Sequence, residues 1–204
     1  MKLYDYKNAP NPRRVRMFLA EKNITEVEMI NIDLAKGETH RREFKDINPY
    51  GGVPVLELDD GDYIAESMAI CRYFEEISPE NPLMGTDAKS KAVIEMWNRR
   101  IELNLYNPIA HCFRHGNPMW KATVNQVADF AVVSGDDADK NIHKLDKRLA
   151  VSEYVGGDTF SVADITALCA IDFAKVIQRR IDEEKHPHLA RWYKQVSARL
   201  SAKA

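Results

Sequence analysis

The chain changes its hydrophobic rhythm once, near residue 80. Before that point short alternating apolar runs are separated by helical stretches; after it, apolar residues recur every three or four positions. Residues 2–6 (KLYDY) and 27–32 (VEMINI) read as strands, with Val27 and Met29 on one face of the second and Ile30 and Ile32 on the other. Between them the turn cluster NAPNP leads into RRVRMFLAEKN, where Val15, Phe18 and Leu19 share a helical face and Asn23 closes the helix. Residues 38–46 read as a short polar helix. VPVLEL (53–58) is a third strand, and an Asp60-Gly61 turn returns the chain into a fourth, YIA. ESMAICRYFEEI (66–77) follows as a helix, with Met68, Ile70, Cys71, Phe74 and Ile77 as core positions. The order is β-α-β-α-β-β-α. A helical crossover makes the first two strands parallel, and a tight turn makes the last two antiparallel.

SPENPLMGTD (78–87) is broken by two prolines and a glycine and reads as a connector. The expected organisation is an α/β domain over 1–79, a linker over 80–87 and an all-helical domain over 88–204. Residues 88–115 form one long helix in this reading, kinked by Pro108, which removes a backbone bond and crowds the preceding turn. A second long helix is expected from about 119 to 151, interrupted at Ser134-Gly135. After Gly156-Gly157, SVADITALCAIDFAKV opens with a capping box between Ser161 and Asp164, and Phe160 is placed to staple against Ile165. A last helix follows Pro187 and carries Leu189, Trp192 and Val196.

Composition narrows the function classes. A length of 204 residues fits one large domain or two small ones. With 29 basic and 31 acidic residues the formal charge is −2, which excludes a generic polyanion binder, so no nucleic-acid partner is expected. No run approaches the 18 or so apolar residues of a membrane span, and the opening MKLYDYKNAPNP has no apolar core of a secretory signal. The expectation is a cytoplasmic protein without a membrane partner. Cys71, Cys112 and Cys169 are scattered and odd in number, so neither a disulfide framework nor a zinc cluster is signalled. His186 and His188 lack further ligands nearby in sequence, and no metal site is expected.

Four segments carry a resemblance to the glutathione transferases. Asn48-Pro49-Tyr50-Gly51-Gly52-Val53-Pro54-Val55-Leu56 is similar to the family's NP-x-G-x-VP-x-L stretch. Ala65-Glu66-Ser67, with Ile70 and Tyr73, is similar to its ES-x-AI-x-x-YL segment. Phe160-Ser161-x-Ala163-Asp164 is similar to its late FS-x-AD motif, and Ala9-Pro10-Asn11-Pro12-Arg13-Arg14-Val15 to its SPN-x-RKV opening. The four occur in order and cover essentially the whole chain. The resemblance implies a thioredoxin-like N-terminal domain (βαβαββα), an all-α C-terminal bundle, and glutathione as co-substrate with no covalently bound cofactor.

It also implies roles. Gly52, Val53 and Pro54 stand where the family pairs main chain with the cysteinyl unit of glutathione, the proline being cis; by itself Val53-Pro54 also fits a proline opening an edge strand. Glu66 and Ser67 open a helix whose N–H groups and dipole attract a carboxylate, so Ser67 can serve the γ-glutamyl carboxylate and Glu66 its ammonium; capping alone would account for the same pair. The nucleophile is a thiolate, so the sulfur needs hydrogen-bond donors. Ala9 occupies the serine position of SPN and cannot donate, and the position of the tyrosine-type classes falls on Asp5, between Tyr4 and Tyr6. Asn11 is then the leading catalytic candidate, similar to the Nu-like bacterial transferases, where a threonine accompanies the asparagine; Tyr6, or the N–H groups of the helix start with Arg13 or Arg14 alone, are the alternatives. Asn11 also fits a plain N-cap followed by Pro12 at the first helical position.

Arg13 and Arg14 oppose the helix dipole where they stand, and one of them can raise local positive potential. In the Gly37-Glu38-Thr39-His40 stretch the family's histidine for the glycyl carboxylate aligns on Thr39, and His40 beside it is the candidate for that role; a solvated loop histidine would fit the same position. The second, hydrophobic substrate is expected between the halves, with Tyr106, Phe113 and Trp120 as candidates and Asn107, Cys112 and Arg114 beside them. Tyr50 stands where several classes place an aromatic that plugs into a partner subunit, so a homodimer is expected. The resulting expectation is a transferase that adds the thiolate of glutathione to an electrophile. A glutathione-dependent disulfide or peroxide reductase and a non-catalytic glutathione-binding module are the alternatives. Isomerase and cysteine-type dehalogenase activities are disfavoured, because the loop lacks their serine and cysteine.

Overall fold

A computed structural model describes all residues, Met1–Ala204. The chain divides into two compact units, Met1–Leu83 together with Leu200–Ala204, and Met84–Arg199.

The first unit is built on four strands, β1 (Lys2–Asp5), β2 (Glu28–Asn31), β3 (Val55–Glu57) and β4 (Tyr63–Ala65), in the spatial order β2-β1-β3-β4. β1 and β2 are parallel; β3 runs antiparallel to both β1 and β4. The helices are α1 (Pro10–Glu21), α2 (Arg42–Ile47) and α3 (Ser67–Ile77). The core is made by Leu3, Val55 and Leu56 from the central strands, Val15 and Phe18 from α1, and Ile70, Cys71 and Phe74 from α3, all fully buried. Two expected core positions lie outside it: Met68 is half-buried, and Ile77 is 52% exposed at the last residue of α3. The polar helix expected over 38–46 is two pieces, a 3-10 turn at Glu38–His40 and α2, divided by an extended Arg41.

Helix α1 ends as Asn23 dictates. Its φ of 55° is left-handed, and the amides of Asn23 and Ile24 return to the carbonyls of Ala20 and Leu19, which satisfies the exposed end of the helix. Beside this terminus the Lys22 ammonium is fully buried, 2.8 Å from the Glu75 carboxylate, and donates to the carbonyls of Ser78, Glu80 and Asn81. Glu75 in turn accepts from the Leu83 amide. The unit therefore runs past residue 79, where the α/β half is expected to end: a buried ion pair pins the proline-rich connector down. The C-terminal 3-10 turn (Leu200–Lys203) belongs here too, because Ser201 donates to Glu21 and Arg13 donates to the Ala202 carbonyl at 2.9 Å.

The second unit is helical, comprising α4 (Ala88–Ile101), α5 (Asn107–Gly116), α6 (Ala128–Leu149), α7 (Val162–Ala174) and α8 (Pro187–Ser197). Pro108 does not kink one continuous helix. It has no N–H for the carbonyl four residues back, and the chain absorbs the defect by widening into a π turn over Glu102–Tyr106 between α4 and α5. The second long helix starts at Ala128 rather than near 119, because Gln126 and His115 secure a non-helical loop. Gln126 donates to the carbonyls of Arg114 and Asn117, and the Val127 amide donates to His115 Nδ1. Nor is α6 interrupted at Ser134-Gly135. Gly135 is buried, and a Cβ there would lie 3.4 Å from both Cys112 Sγ and Arg179, so this glycine serves close packing and not a break.

Helix α7 is buried from Val162 to Ile171, as expected of a helix apolar on nearly every face. Its N-terminal capping box is present, and Asp164 does more than cap. Its carboxylate accepts from the Val155 amide, the Trp192 indole, and the amide and hydroxyl of Ser161, at 2.8–3.1 Å. Complete burial pushes its carboxyl up to about 6, against the pull of these four donors. Phe160 stands edge-on to Tyr154, with Arg199 over its ring. Leu189, Trp192 and Val196 of α8 are fully buried. Replacing Asp164 orphans several buried donors at once. Asp164→Ala is expected to cost about 3 kcal/mol or more and to lower Tm by about 10 °C in a thermal melt. A loss below about 1 kcal/mol would show that this network does not hold the helical unit together.

Candidate functional site

The strand registers bring the sequence-predicted residues to one edge of the sheet. Tyr4 pairs with Val55 in the antiparallel β1–β3 ladder, which carries Tyr6, just beyond β1, alongside Val53, just before β3. Val55 pairs with Ala65 in β3–β4, which carries Val53-Pro54 alongside Glu66-Ser67. The loop after β1, the Val53-Pro54 step and the start of α3 therefore meet at one end of the sheet.

The loop after β1 is clamped. Asp5, buried at the strand end, forms an ion pair with Arg16 of α1, whose side chain is equally sheltered. The second guanidinium nitrogen of Arg16 donates to the Lys7 carbonyl at 2.8 Å, and the Ala9 amide donates to the Tyr6 carbonyl at 2.9 Å. Helix α1 then begins earlier than expected. Ala9, in extended geometry, is the N-cap and has no side chain to cap with, and Pro10 is the first helical residue. Asn11 is thus inside the first turn rather than at the cap. Two prolines leave this helix end little to donate with: Pro10 and Pro12 have no N–H, so among the first three helical positions only Asn11 offers one. The Asn11 side-chain oxygen accepts from Arg14 at 3.4 Å, which leaves its NH₂ without a protein partner.

The neighbouring candidates divide sharply. Arg14 is buried against Asn11, and the Arg13 guanidinium is engaged by the Ala202 carbonyl. Tyr4 donates its hydroxyl to Glu57 at 2.5 Å, and burial together with that carboxylate pushes its phenol far up, so it is no proton acceptor for a thiol. Tyr6 is half-buried, and its hydroxyl has no hydrogen-bond partner.

The loop before β3 is tied by two residues whose part sequence reading missed. Asn48 is buried, donates to the Gly52 carbonyl at 2.9 Å and accepts from the Tyr50 amide at 3.1 Å. Lys45 donates to the Pro49 carbonyl at 3.0 Å. Gly51 has a φ of 65°, and a Cβ there would lie 2.5 Å from Lys45 Nζ and 3.1 Å from the Thr39 carbonyl, so the turn carrying Thr39 and His40 packs against this loop. Asn48 belongs to the quoted motif, so its signal was present; Lys45 had none. The Val53-Pro54 bond is cis. Thr39 is buried and His40 exposed. Glu66 has a φ of 68°, in the left-handed region that a non-glycine residue occupies only under strain, and Ser67, 5% exposed, begins α3. This helix start supplies N–H groups and the positive end of a dipole.

In the helical unit, Tyr106, Phe113 and Trp120 belong to one aromatic cluster. Phe173 links them, with centroid distances of 5.6 Å to Tyr106 and 5.7 Å to Phe113, and Phe113 lies 5.8 Å from Trp120. Phe173 was not among the expected residues; nothing local separates it from the other apolar positions of α7. Arg114 lies 5.9 Å from the Trp120 ring, and burial pushes the Cys112 thiol up, away from a resting thiolate. Tyr50 is 90% exposed. His186 stands 6.0 Å from His143, and no group of three metal-ligating side chains occurs in the structure.

Comparisons with known proteins follow the same division. Residues 9–77 match the family described as "Glutathione S-transferase, N-terminal domain", and residues 131–199 match "Glutathione S-transferase, C-terminal domain". "Glutathione S-transferase 2" of Saccharomyces cerevisiae is 39% identical, covering 100% of this chain and 88% of that protein. The crystal structure of Gtt2 from the same yeast superposes with a TM-score of 0.93 over 100% of this chain and 99% of that one, at 39% identity. A Gtt2-class glutathione S-transferase of Vibrio parahaemolyticus gives 0.87 at 38% identity, over 100% and 96% of the two chains. Yeast and bacterial proteins are matched at nearly equal identity, so the likeness does not separate one origin from the other. No helix is long and apolar enough to cross a membrane.

The Asp5–Arg16 clamp makes a direct prediction. Arg16→Gln leaves a buried carboxylate without its cation and frees the Lys7 carbonyl, and is expected to cost about 3 kcal/mol in urea denaturation. A change within about 0.5 kcal/mol would mean that the loop is held by something else.

Proposed function

This chain belongs to the glutathione S-transferase family, and from that premise we propose which of its residues hold glutathione and make its sulfur a nucleophile. The protein is a glutathione transferase: it binds glutathione, stabilises the thiolate and adds it to an electrophilic small molecule. The observation that carries the residue assignment is the strand register, which brings the loop after β1, Val53-Pro54 and Glu66-Ser67 to one sheet edge.

In the proposed site Val53, next to Gly52 and Pro54, offers its backbone N–H and C=O to the cysteinyl unit, as an added strand would. Ser67 and the start of α3 take the γ-glutamyl carboxylate, and Glu66 takes the adjoining ammonium. His40, exposed beside the 48–54 loop, takes the glycyl carboxylate. Ala9 lines the cysteinyl sulfur without donating to it. Asn11 gives the sulfur its free NH₂ and its backbone N–H, an asparagine-type arrangement. Arg13 contributes charge only, since its hydrogen bond goes to Ala202. Tyr6 is the second-choice donor.

The chemistry follows from those donors. Hydrogen bonds to S⁻ favour the charged form, and each unit by which the thiol pKa falls corresponds to about 1.4 kcal/mol. The thiol proton leaves to solvent. With an aromatic halide the thiolate forms the S–C bond and halide departs with the C–X pair. The aromatic cluster of Tyr106, Phe113 and Trp120, with Phe173, supports a flat hydrophobic electrophile as second substrate.

A cytoplasmic setting belongs to the same proposal, supported by three free thiols, two of them buried. So does a homodimer, supported by exposed apolar side chains at Tyr50, Met96, Leu103, Phe130 and Val133; sedimentation that finds only monomer at micromolar concentration would refute it. Ser67→Ala is expected to raise KM for glutathione about tenfold in an aromatic-halide assay, with kcat within about threefold. An unchanged KM would remove Ser67 from the site. Turnover of a glutathionylated disulfide in place of the halide would replace transfer with reduction.

A further inference from the structure

Two helix ends in the helical unit cap each other. α5 stops at Gly116 and α6 starts at Ala128, and each end leaves backbone groups without helical partners. Val127, the N-cap of α6, has no polar side chain to cap with. Its amide donates to Nδ1 of His115, in the last turn of α5, at 3.1 Å. In return Gln126 donates to the Arg114 and Asn117 carbonyls at 2.8 and 2.7 Å, which closes the end of α5. The His115 ring stands edge-on to Phe130 of α6, with 5.0 Å between centroids. Gly116 lets the helices approach, since a Cβ there would lie 3.4 Å from that of Ala131.

The loop over 117–126 hangs from these ties and carries Trp120, edge-on to Phe113 at 5.8 Å. The Trp120 Nε1 is shielded from solvent and meets no acceptor, so no hydrogen bond of the indole fixes it to the aromatic cluster. Its place depends on the loop, through the amide of Trp120 on the Asn117 carbonyl and that of Val124 on the Trp120 carbonyl. The loop in turn depends on His115. An imidazole nitrogen accepts only while unprotonated, so the Val127 amide fixes His115 as the neutral Nε2–H tautomer. A proton on Nδ1 sets a donor against a donor. The other charged and titratable groups at this junction are His111 and Arg114 of α5, Lys121 of the loop and Asp129 in the first turn of α6. His111 lies 5.3 Å from the same Phe130 ring, and burial, then Arg114 and His115, hold its titration down.

We propose that His115 is a positioning residue for the second substrate: neutral, it latches the loop that holds Trp120 against Phe113; protonated, it releases that loop. The proposal rests on the reading of Tyr106, Phe113 and Trp120 as the electrophile site. The latch is present at neutral pH and is lost as the pH falls through the range where histidines protonate, about 7 to 5. Protection of the Val127 amide against hydrogen exchange, read by NMR and corrected for the intrinsic pH dependence, tests the latch without any assay of turnover. In the unsubstituted protein it is expected to fall about tenfold between about pH 7.5 and 5. His115→Asn, whose side-chain oxygen accepts the same amide, is expected to keep the protection at both pH values, and His115→Leu to lack it at both. KM for an aromatic halide is expected to follow the same pattern: a severalfold rise in acid, the same rise at any pH in His115→Leu, and no rise in His115→Asn. kcat, which also follows the thiolate, should change with pH alike in all three proteins. Val127 protection indifferent to pH and to His115→Leu would overturn the proposal, as would an acid rise in KM that persists in His115→Asn. Protection that follows the pattern while KM stays level in every protein would overturn it too, by removing the aromatic cluster from the electrophile site and not the latch from the loop.

Discussion

A carboxylate buried at the end of a strand sets the geometry of everything proposed for the sulfur. Asp5 finishes β1 and pairs with Arg16, one full helical stretch further along the chain, and Arg16 also holds the Lys7 carbonyl. That single cation ties the end of β1 and the middle of the short loop after it to α1. A buried carboxylate without a partner would be costly, so the pair is strongly held once the strand is formed. Ala9 and Asn11 inherit their positions from it. The position at which the tyrosine-type classes of the family carry the group that serves the sulfur falls on Asp5, and here it carries part of the scaffold.

The consequence is a helix start with an unusual economy of donors. Proline at the first and third helical positions removes two N–H groups, and Ala9 contributes no side chain. Asn11 alone is left with a backbone N–H and an uncommitted NH₂. Arg14 occupies the Asn11 oxygen, and this fixes which end of the amide remains available. The contrast with α3 is instructive. There the strained Glu66 and the buried Ser67 begin a helix that has no proline in its first turn, and a helix of that kind suits a carboxylate. In the proposed site the two helix ends serve different parts of one tripeptide.

The fold was legible where its rules are local. The Asp60-Gly61 turn, the Ser161/Asp164 box and the helix-closing Asn23 each follow from a few adjacent residues, and the strand directions follow from the lengths of the connections; the cis Val53-Pro54 step was implied by the family resemblance alone. What could not be read depends on partners remote in sequence. Gly135 has the composition of a break, but Cys112 and Arg179 make it a packing contact. The defect at Pro108 is absorbed upstream, by Glu102–Tyr106. Nothing in Leu200–Ala204 signals that this tail returns to Arg13 and Glu21. In the site itself, Asn11 as cap with Pro12 following, and Ala9 as cap with Pro10 following, satisfy the proline rule equally well. Asparagine is the better cap by propensity, and the Asp5–Arg16 clamp together with the path of β1 accompanies the other choice.

The assignment of Asn11 to the sulfur is the claim on which the chemistry turns. An ultraviolet difference titration of bound glutathione from about pH 5 to 9 reads the thiolate directly, against a free thiol near 8.5. The thiolate of glutathione bound to the unsubstituted protein should form at least about one unit below that value, and Asn11→Ala should move it most of the way back. If the two proteins titrate together while both still bind glutathione, the sulfur is served by another group and Asn11 is only part of the helix.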